Sequence, residues 1–164
     1  MRATNFSLGL LLGMFLSAVI VATNVIWPSL VGHPSPDNQP SESAGWILII
    51  GLVCWAGYFA MRRRSSLRDA AMAGGVITFI AFTMAMFTFI IVDNLFFDLV
   101  SQQPEKIWLF ERSGFADMRS YLNHTNMRTF WTVLPVVTVF GVICGTIGGG
   151  LSRFAQTHGS KAAG

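Results

Sequence analysis

A chain of 164 residues is long enough for one domain, and 52% of it is hydrophobic while only 12% is charged, where an average soluble domain carries about 25% charged residues. So few charges, gathered into links and ends, cannot keep the surface of a water-soluble fold wet, and the composition excludes that class. The formal net charge of +3 then reports how the chain sits across a membrane and gives no reason to expect a nucleic-acid partner.

Taken in chain order, four segments reach the roughly 17–25 apolar residues that a membrane-spanning helix needs: residues 6–27, 45–61, 70–92 and 130–151. The first begins after Arg2 with "LGLLLGMFLSAVIVA", which has the charged start and apolar run of a secretory signal. The run is too long for one, and neither Leu16 to Ala18 nor Ile20 to Ala22 forms a clean small-x-small site, so an uncleaved helix is expected. The link 28–44 is rich in Pro, Ser, Asn and Gln and reads as an irregular connector. The second span is short, and Arg62 and Arg63 are placed to snorkel and lengthen it.

The link 62–69, "RRRSSLRD", holds Arg62, Arg63, Arg64 and Arg68, whereas 28–44 has neither Lys nor Arg. Basic links stay in the cytoplasm, so both termini, including the tail 152–164, are expected inside and the loops 28–44 and 93–129 outside. Lys106, Arg112, Arg119 and Arg128 in the second loop oppose this, and the orientation rests on the Arg cluster. Within that loop Pro104 can open a helix through "EKIWLFER" to Gly114, and "FADMRSYLN" places Phe115, Met118 and Leu122 on one face. Two short amphipathic helices on the outer membrane face, or capping the bundle, follow. Trp27, Trp46, Phe96, Phe97 and Trp131 are suited to anchor the outer interface. The expected architecture is a single all-α membrane domain over 1–164, a four-transmembrane-helix bundle with short outer helices, multi-pass in the cell (inner) membrane.

The last span contains "CGTIGGG", Cys144 to Gly150. A phosphate loop would need a following Lys and a strand before it, and a potassium-type filter would need a loop between two spans; neither context is present. Helical phase places Gly141, Cys144, Gly145, Gly148, Gly149 and Ser152 on one stripe, with Phe140, Ile143, Ile147 and Leu151 elsewhere. Lipid offers no hydrophobic drive for helices to associate, so small residues that let backbones touch hold them together. The same device occurs at Gly9, Gly13 and Ser17, and at Gly74, Thr78, Ala81, Ala85 and Thr88. Gly9, Gly13, Ser17, Gly74, Ala81, Ala85, Gly141, Gly145 and Gly149 are therefore assigned to helix packing. Pro135 is expected to kink the last span near Trp131.

Membrane enzymes and ion-coupled carriers usually place ionisable groups at bilayer depth, and no span interior here contains Asp, Glu, Lys, Arg or His. Asp93 is the nearest candidate for an ion site. A continued third helix puts it in phase with Phe82, Met86 and Phe89, which reads as a bulky face turned to headgroups. His33, His124 and His158 are isolated, with no metal-ligand spacing, and Cys54 and Cys144 read as small buried hydrophobes. The triplet at Asn123 has the form of a glycosylation acceptor. No zinc-protease or serine-nucleophile motif appears, and no cofactor or metal is expected.

The outer loops lack the cysteine pairs of the four-helix disulfide-forming oxidases, and the first span lacks the Glu of the small multidrug transporters. With its basic second link, long amphipathic third loop and glycine-rich last span ending in "GGGLSR", the chain resembles in layout the uncharacterised four-helix bacterial membrane proteins classed as domains of unknown function. That resemblance implies the architecture and no activity. The function expected is that of a non-enzymatic accessory, assembly or structural component, with the lipid bilayer and a larger membrane complex or a homo-oligomer as partners. The alternative is a small oligomeric transporter or channel with a path lined by Thr78, Thr83 and Thr88.

Overall fold

A computed structural model describes residues 3–22, 26, 40–64 and 66–159, and no strand occurs among them. Six helices follow in order: α1 (Ala3–Val21), α2 (Pro40–Arg64), α3 (Leu67–Leu95), α4 (Phe97–Val100), α5 (Pro104–Glu111) and α6 (Met118–Gly159). Two of them, over Leu67–Leu95 and Met118–Thr157, are long and apolar enough to cross a membrane, and the apolar part of α1, Phe6–Val21, is shorter. The connector between α1 and α2, with His33, lies almost wholly outside the described residues.

Helix ends follow local chemistry. Ser66 caps α3 by accepting the Asp69 N–H at 3.4 Å, which satisfies one of the donors a helix start leaves unpaired. Pro104 occupies the first turn of α5, where its missing N–H costs nothing. Gly114 turns the chain between α5 and α6 with φ of 74°, a left-handed conformation that suits glycine. Asp117 accepts the Ser120 N–H at 2.8 Å and starts α6.

One expectation changes here. The second outer helix is not separate: "MRSYLN" is the beginning of α6, which runs unbroken for 42 residues with Pro135 inside it. Nothing between Met118 and the span breaks a helix, and the polar side chains along that stretch find partners on α3.

The central helix is α3, which packs against α1, α2 and α6, while α2 also packs against α6. Along α1 and α3, Gly9 faces Ile80, Gly13 faces Met84 and Ser17 Oγ lies 2.8 Å from Thr88 Oγ1, so these two helices run parallel. Along α3 and α6, Ala70 faces Gly149, Gly74 faces Gly145 and Thr78 faces Gly141. Farther along, Phe87 meets Phe130 with ring centroids 6.3 Å apart. Each turn forward on α3 is thus a turn back on α6, and the pair is antiparallel. On α2 and α6, Gly57 faces Gly145 and Met61 faces Gly149, a parallel pair. Leu12, Val53, Ala56, Ile77, Ala81 and Cys144 form the core where all four long helices meet.

The glycines decide how close the backbones come. A Cβ on Gly74 would run into the Gly141 carbonyl and lie 2.9 Å from the Gly145 Cα, and one on Gly57 would lie 2.7 Å from that same Cα. Gly145 therefore touches two helices at once. Gly148 presses on the Cys54 carbonyl, and Gly9 and Gly13 admit Ile80 and Met84 of α3. Ala81 and Ala85 are buried, whereas Phe140, Ile143, Ile147 and Leu151 are exposed. Gly150, off the stripe, has nothing within 4 Å of its Cβ position.

These contacts set a graded expectation for thermal stability in detergent. Gly145→Leu and Gly149→Leu each force atoms into a neighbouring helix and should cost more than the ~1–3 kcal/mol typical of overpacking, because backbone as well as side chain is in the way. Ile147→Leu should match wild type, and Gly150→Ala should match or exceed it by about 0.5–1 kcal/mol through lower backbone entropy. Unchanged melting of both leucine variants would rule out the glycine contacts as the tie.

Candidate functional site

At the end of α3 opposite the Arg62–Arg68 link, the bundle carries a polar cluster built by three helices. Asp93 is only 4% exposed. Its Oδ1 accepts from Lys106 Nζ of α5 at 2.9 Å, an ion pair, and its Oδ2 accepts from Asn126 Nδ2 of α6 at 2.7 Å. Next to it, Asn94 Nδ2 donates to Asn123 Oδ1 of α6 and to the Ile90 carbonyl, both at 2.8 Å. Val92, Val100 and Leu122 are buried at this same end.

This corrects the sequence-based placement of Asp93. The face it shares with Phe82 and Met86 also carries Gly75, whose Cβ position is 2.7 Å from Val142 of α6. That face is covered by α6, Met86 is buried with it, and Asp93 points into the α3–α6 seam instead of toward headgroups. Burying a carboxylate demands a counter-charge and hydrogen bonds, and Lys106 and Asn126 supply them. Both oxygens are engaged, so the arrangement stores a charge and holds helices together.

Lys106 is the bundle-facing anchor of α5, a helix with no buried residue. Aromatic contacts hold the rest of this end. Phe110 and Phe115 meet Tyr121 at 5.9 Å and 5.8 Å, Phe115 meets His124 at 5.2 Å, and the Arg119 guanidinium lies 4.5 Å from the Phe97 ring centre. Arg112 stacks on Trp108 at 3.7 Å, outside the bundle. His124 is exposed beside Phe115, and the side chain of His158 lies outside the described residues. Among the described residues no three His, Cys, Asp or Glu side chains gather as a metal site. Asn123 is half-buried in a helix and bonded to Asn94, which takes its amide out of the exposed loop setting that glycosylation uses.

Asn94, Lys106, Asn123 and Asn126 escape a reading of the sequence. The available signal is phase: the stripe of Gly145, Gly141 and Leu134 continues through Phe130 to Asn126 once the helix is extended back to Met118. Comparison with models of protein families, with curated proteins and with solved structures gives no match.

Two outcomes follow. Asp93→Asn should destabilise the fold by about 1–3 kcal/mol through loss of a charge-assisted bond, and Asp93→Asn combined with Lys106→Met should cost less than the two single changes together. A double-mutant cycle on thermal melting reads this directly. At Asp117 the hydrogen bond from the Ser120 N–H, with smaller help from its hydroxyl, holds the carboxyl below the usual Asp range. The cap is then intact above the ordinary Asp pKa and is lost only as pH falls through the lowered value. The Ser120 amide resonance should titrate at that low pH and lose the transition in Asp117→Asn.

Proposed function

We propose that this chain is a four-span integral membrane protein with both termini in the cytoplasm, serving as a non-catalytic accessory, assembly or structural component. The observation that carries this reading is Asp93: the one buried ionisable acid among the described residues is consumed by the chain's own Lys106 and Asn126. A carrier or enzyme would keep such a group available to an ion or a substrate.

The order of helix directions supports the topology. With α1 parallel to α3, α2 parallel to α6, and α3 antiparallel to α6, four crossings alternate and return both termini to one side. The side is assigned by Arg62, Arg63, Arg64 and Arg68. Exposed Phe79, Phe87 and Ile91 on α3 and Phe140, Ile143 and Ile147 on α6 suit contact with acyl chains. The threonines weigh against a pore within one chain. Thr78 bonds the Gly74 carbonyl and packs on Gly141, whereas Thr88 bonds toward Ser17 of α1, so they face different neighbours. A transporter or channel would need its path between subunits of a homo-oligomer.

Reporter fusions at Ser66 and at the C-terminus should read cytoplasmic, and fusions at Asp37 and Ser113 extracytoplasmic; a reversed C-terminal reporter sinks the four-span topology. Mild-detergent purification should bring down a larger membrane partner in fixed ratio. A homo-oligomer that passes ions in liposomes would replace the accessory role with the transport one.

A further inference from the structure

Two arginines come out on one edge of the α3–α6 seam. Gly75 and Val142 mark that edge, since a Cβ on Gly75 would lie 2.7 Å from Val142 Cγ2. Arg68 precedes Gly75 on α3 by about two turns, and Arg153 follows Val142 on α6 by about three, spacings that keep each arginine on the face of its helix that forms this edge. Gly149 packs on Ala70 and Leu67, so Arg68 stands level with Gly149 and Arg153 one turn nearer the end of the bundle. Every helical Cα–Cβ bond tilts toward the N-terminus of its own helix. In this antiparallel pair the Arg68 and Arg153 side chains therefore lean toward each other.

Both arginines are exposed, and neither pairs with an acid among the described residues. Asp69 is rotated from Arg68 by about 100° around α3, toward a different face. Two like charges thus converge at a place where only an anion from outside the described chain can sit between them. The N-terminus of α3 lies at the same end and adds the positive end of its dipole.

From the arginines the same edge continues into the bundle as a shallow groove. Met72 and Phe79 of α3 and Val139 of α6 are exposed along it, buried Gly75 and half-buried Val142 form its floor, and the Thr146 hydroxyl is turned back to the Val142 carbonyl at 2.8 Å. The groove therefore presents apolar surface without a charge. A solvated anion gains nothing from Met72 and Phe79, whereas a molecule with an anionic head and an apolar chain covers both halves of the surface.

We propose that Arg68 and Arg153 hold the phosphate headgroup of an anionic phospholipid, with an acyl chain lying in the groove over Gly75 and Val142. Guanidinium groups suit this because their planar forks donate paired hydrogen bonds to phosphate oxygens. Assignment of the lipid to the cytoplasmic leaflet rests on the topology read above. A reversed topology would move the site to the other leaflet and leave the retained lipid unchanged, so the two readings fail separately.

The test releases the full chain from detergent micelles doped with equal amounts of phosphatidylglycerol and phosphatidylcholine of matched acyl chains, and native mass spectrometry identifies the lipid kept on the protein. Wild type should keep phosphatidylglycerol in preference. Arg68→Gln and Arg153→Gln should each lower that preference about fivefold, with melting in lipid-free detergent unchanged because both side chains are exposed. Arg62→Gln and Arg63→Gln remove the same charge from α2 at the same end and should change the preference far less. Equal retention of the two lipids by wild type overturns the proposal, as does a preference that survives the Arg68→Gln, Arg153→Gln double variant. An equal loss from the α2 variants would show diffuse attraction in place of a site, and displacement of the lipid by inorganic phosphate would show a site for a soluble anion; either result overturns it too.

Discussion

Backbone contact at Gly145 is the constraint on which the rest of the bundle depends. Its Cα meets Gly57 of α2 on one side and Gly74 of α3 on the other, and the Ala70 carbonyl closes over its Cβ position. Three helices share one point where no side chain fits. Where helices associate in lipid they draw on dispersion and on close approach, because burying an apolar side chain against another helix gains little over burying it against acyl chains. A junction built from backbone atoms maximises that approach, and its geometry leaves no slack for an alternative register.

From that junction the antiparallel seam of α3 and α6 runs the length of the bundle. Pairing Gly74 with Gly145 places Thr78 at Gly141, Phe87 at Phe130, and Asp93 at Asn126. The acid is therefore buried as a consequence of register, and the burial would be unfavourable without Lys106 reaching across from α5. In this way a contact between glycines at one end determines which residues must neutralise a charge at the other. The polar network then works as a register lock, since a slip of one turn would leave a carboxylate and two amides unpaired among apolar neighbours.

The second seam, α2 against α6, has a different consequence. Its parallel register presses Gly148 on the Cys54 carbonyl and leaves a small apolar gap lined by Ile50, Val53, Val137 and Phe140. Hydroxyls within the bundle complete the picture of a tightly held interior. Thr78, Thr138 and Thr146 return their protons to the carbonyl one turn earlier, as such residues do where water is absent, while the hydroxyls of Thr83 and Ser152 find no partner.

The sequence by itself determined the helical character and the phase of the small residues, because these are local: they depend on composition and on a period of 3.6. Gly9, Gly13, Gly74, Gly141, Gly145 and Gly149 all sit where helical phase puts them, against a neighbouring backbone or side chain. Only the tertiary structure decided which helix each stripe meets. Gly57 belongs to none of the small-residue stripes that helical phase marks out, and its role appears only when Gly145 is placed opposite it. Asp93 looked outward because phase reports one favoured face, whereas a central helix such as α3 is covered by α1 on one side and by α6 on another. The meeting of Asp93 with Lys106 and Asn126, and that of Asn94 with Asn123, are pairings between distant segments. Such pairings follow from the register of whole helices, which no local pattern encodes.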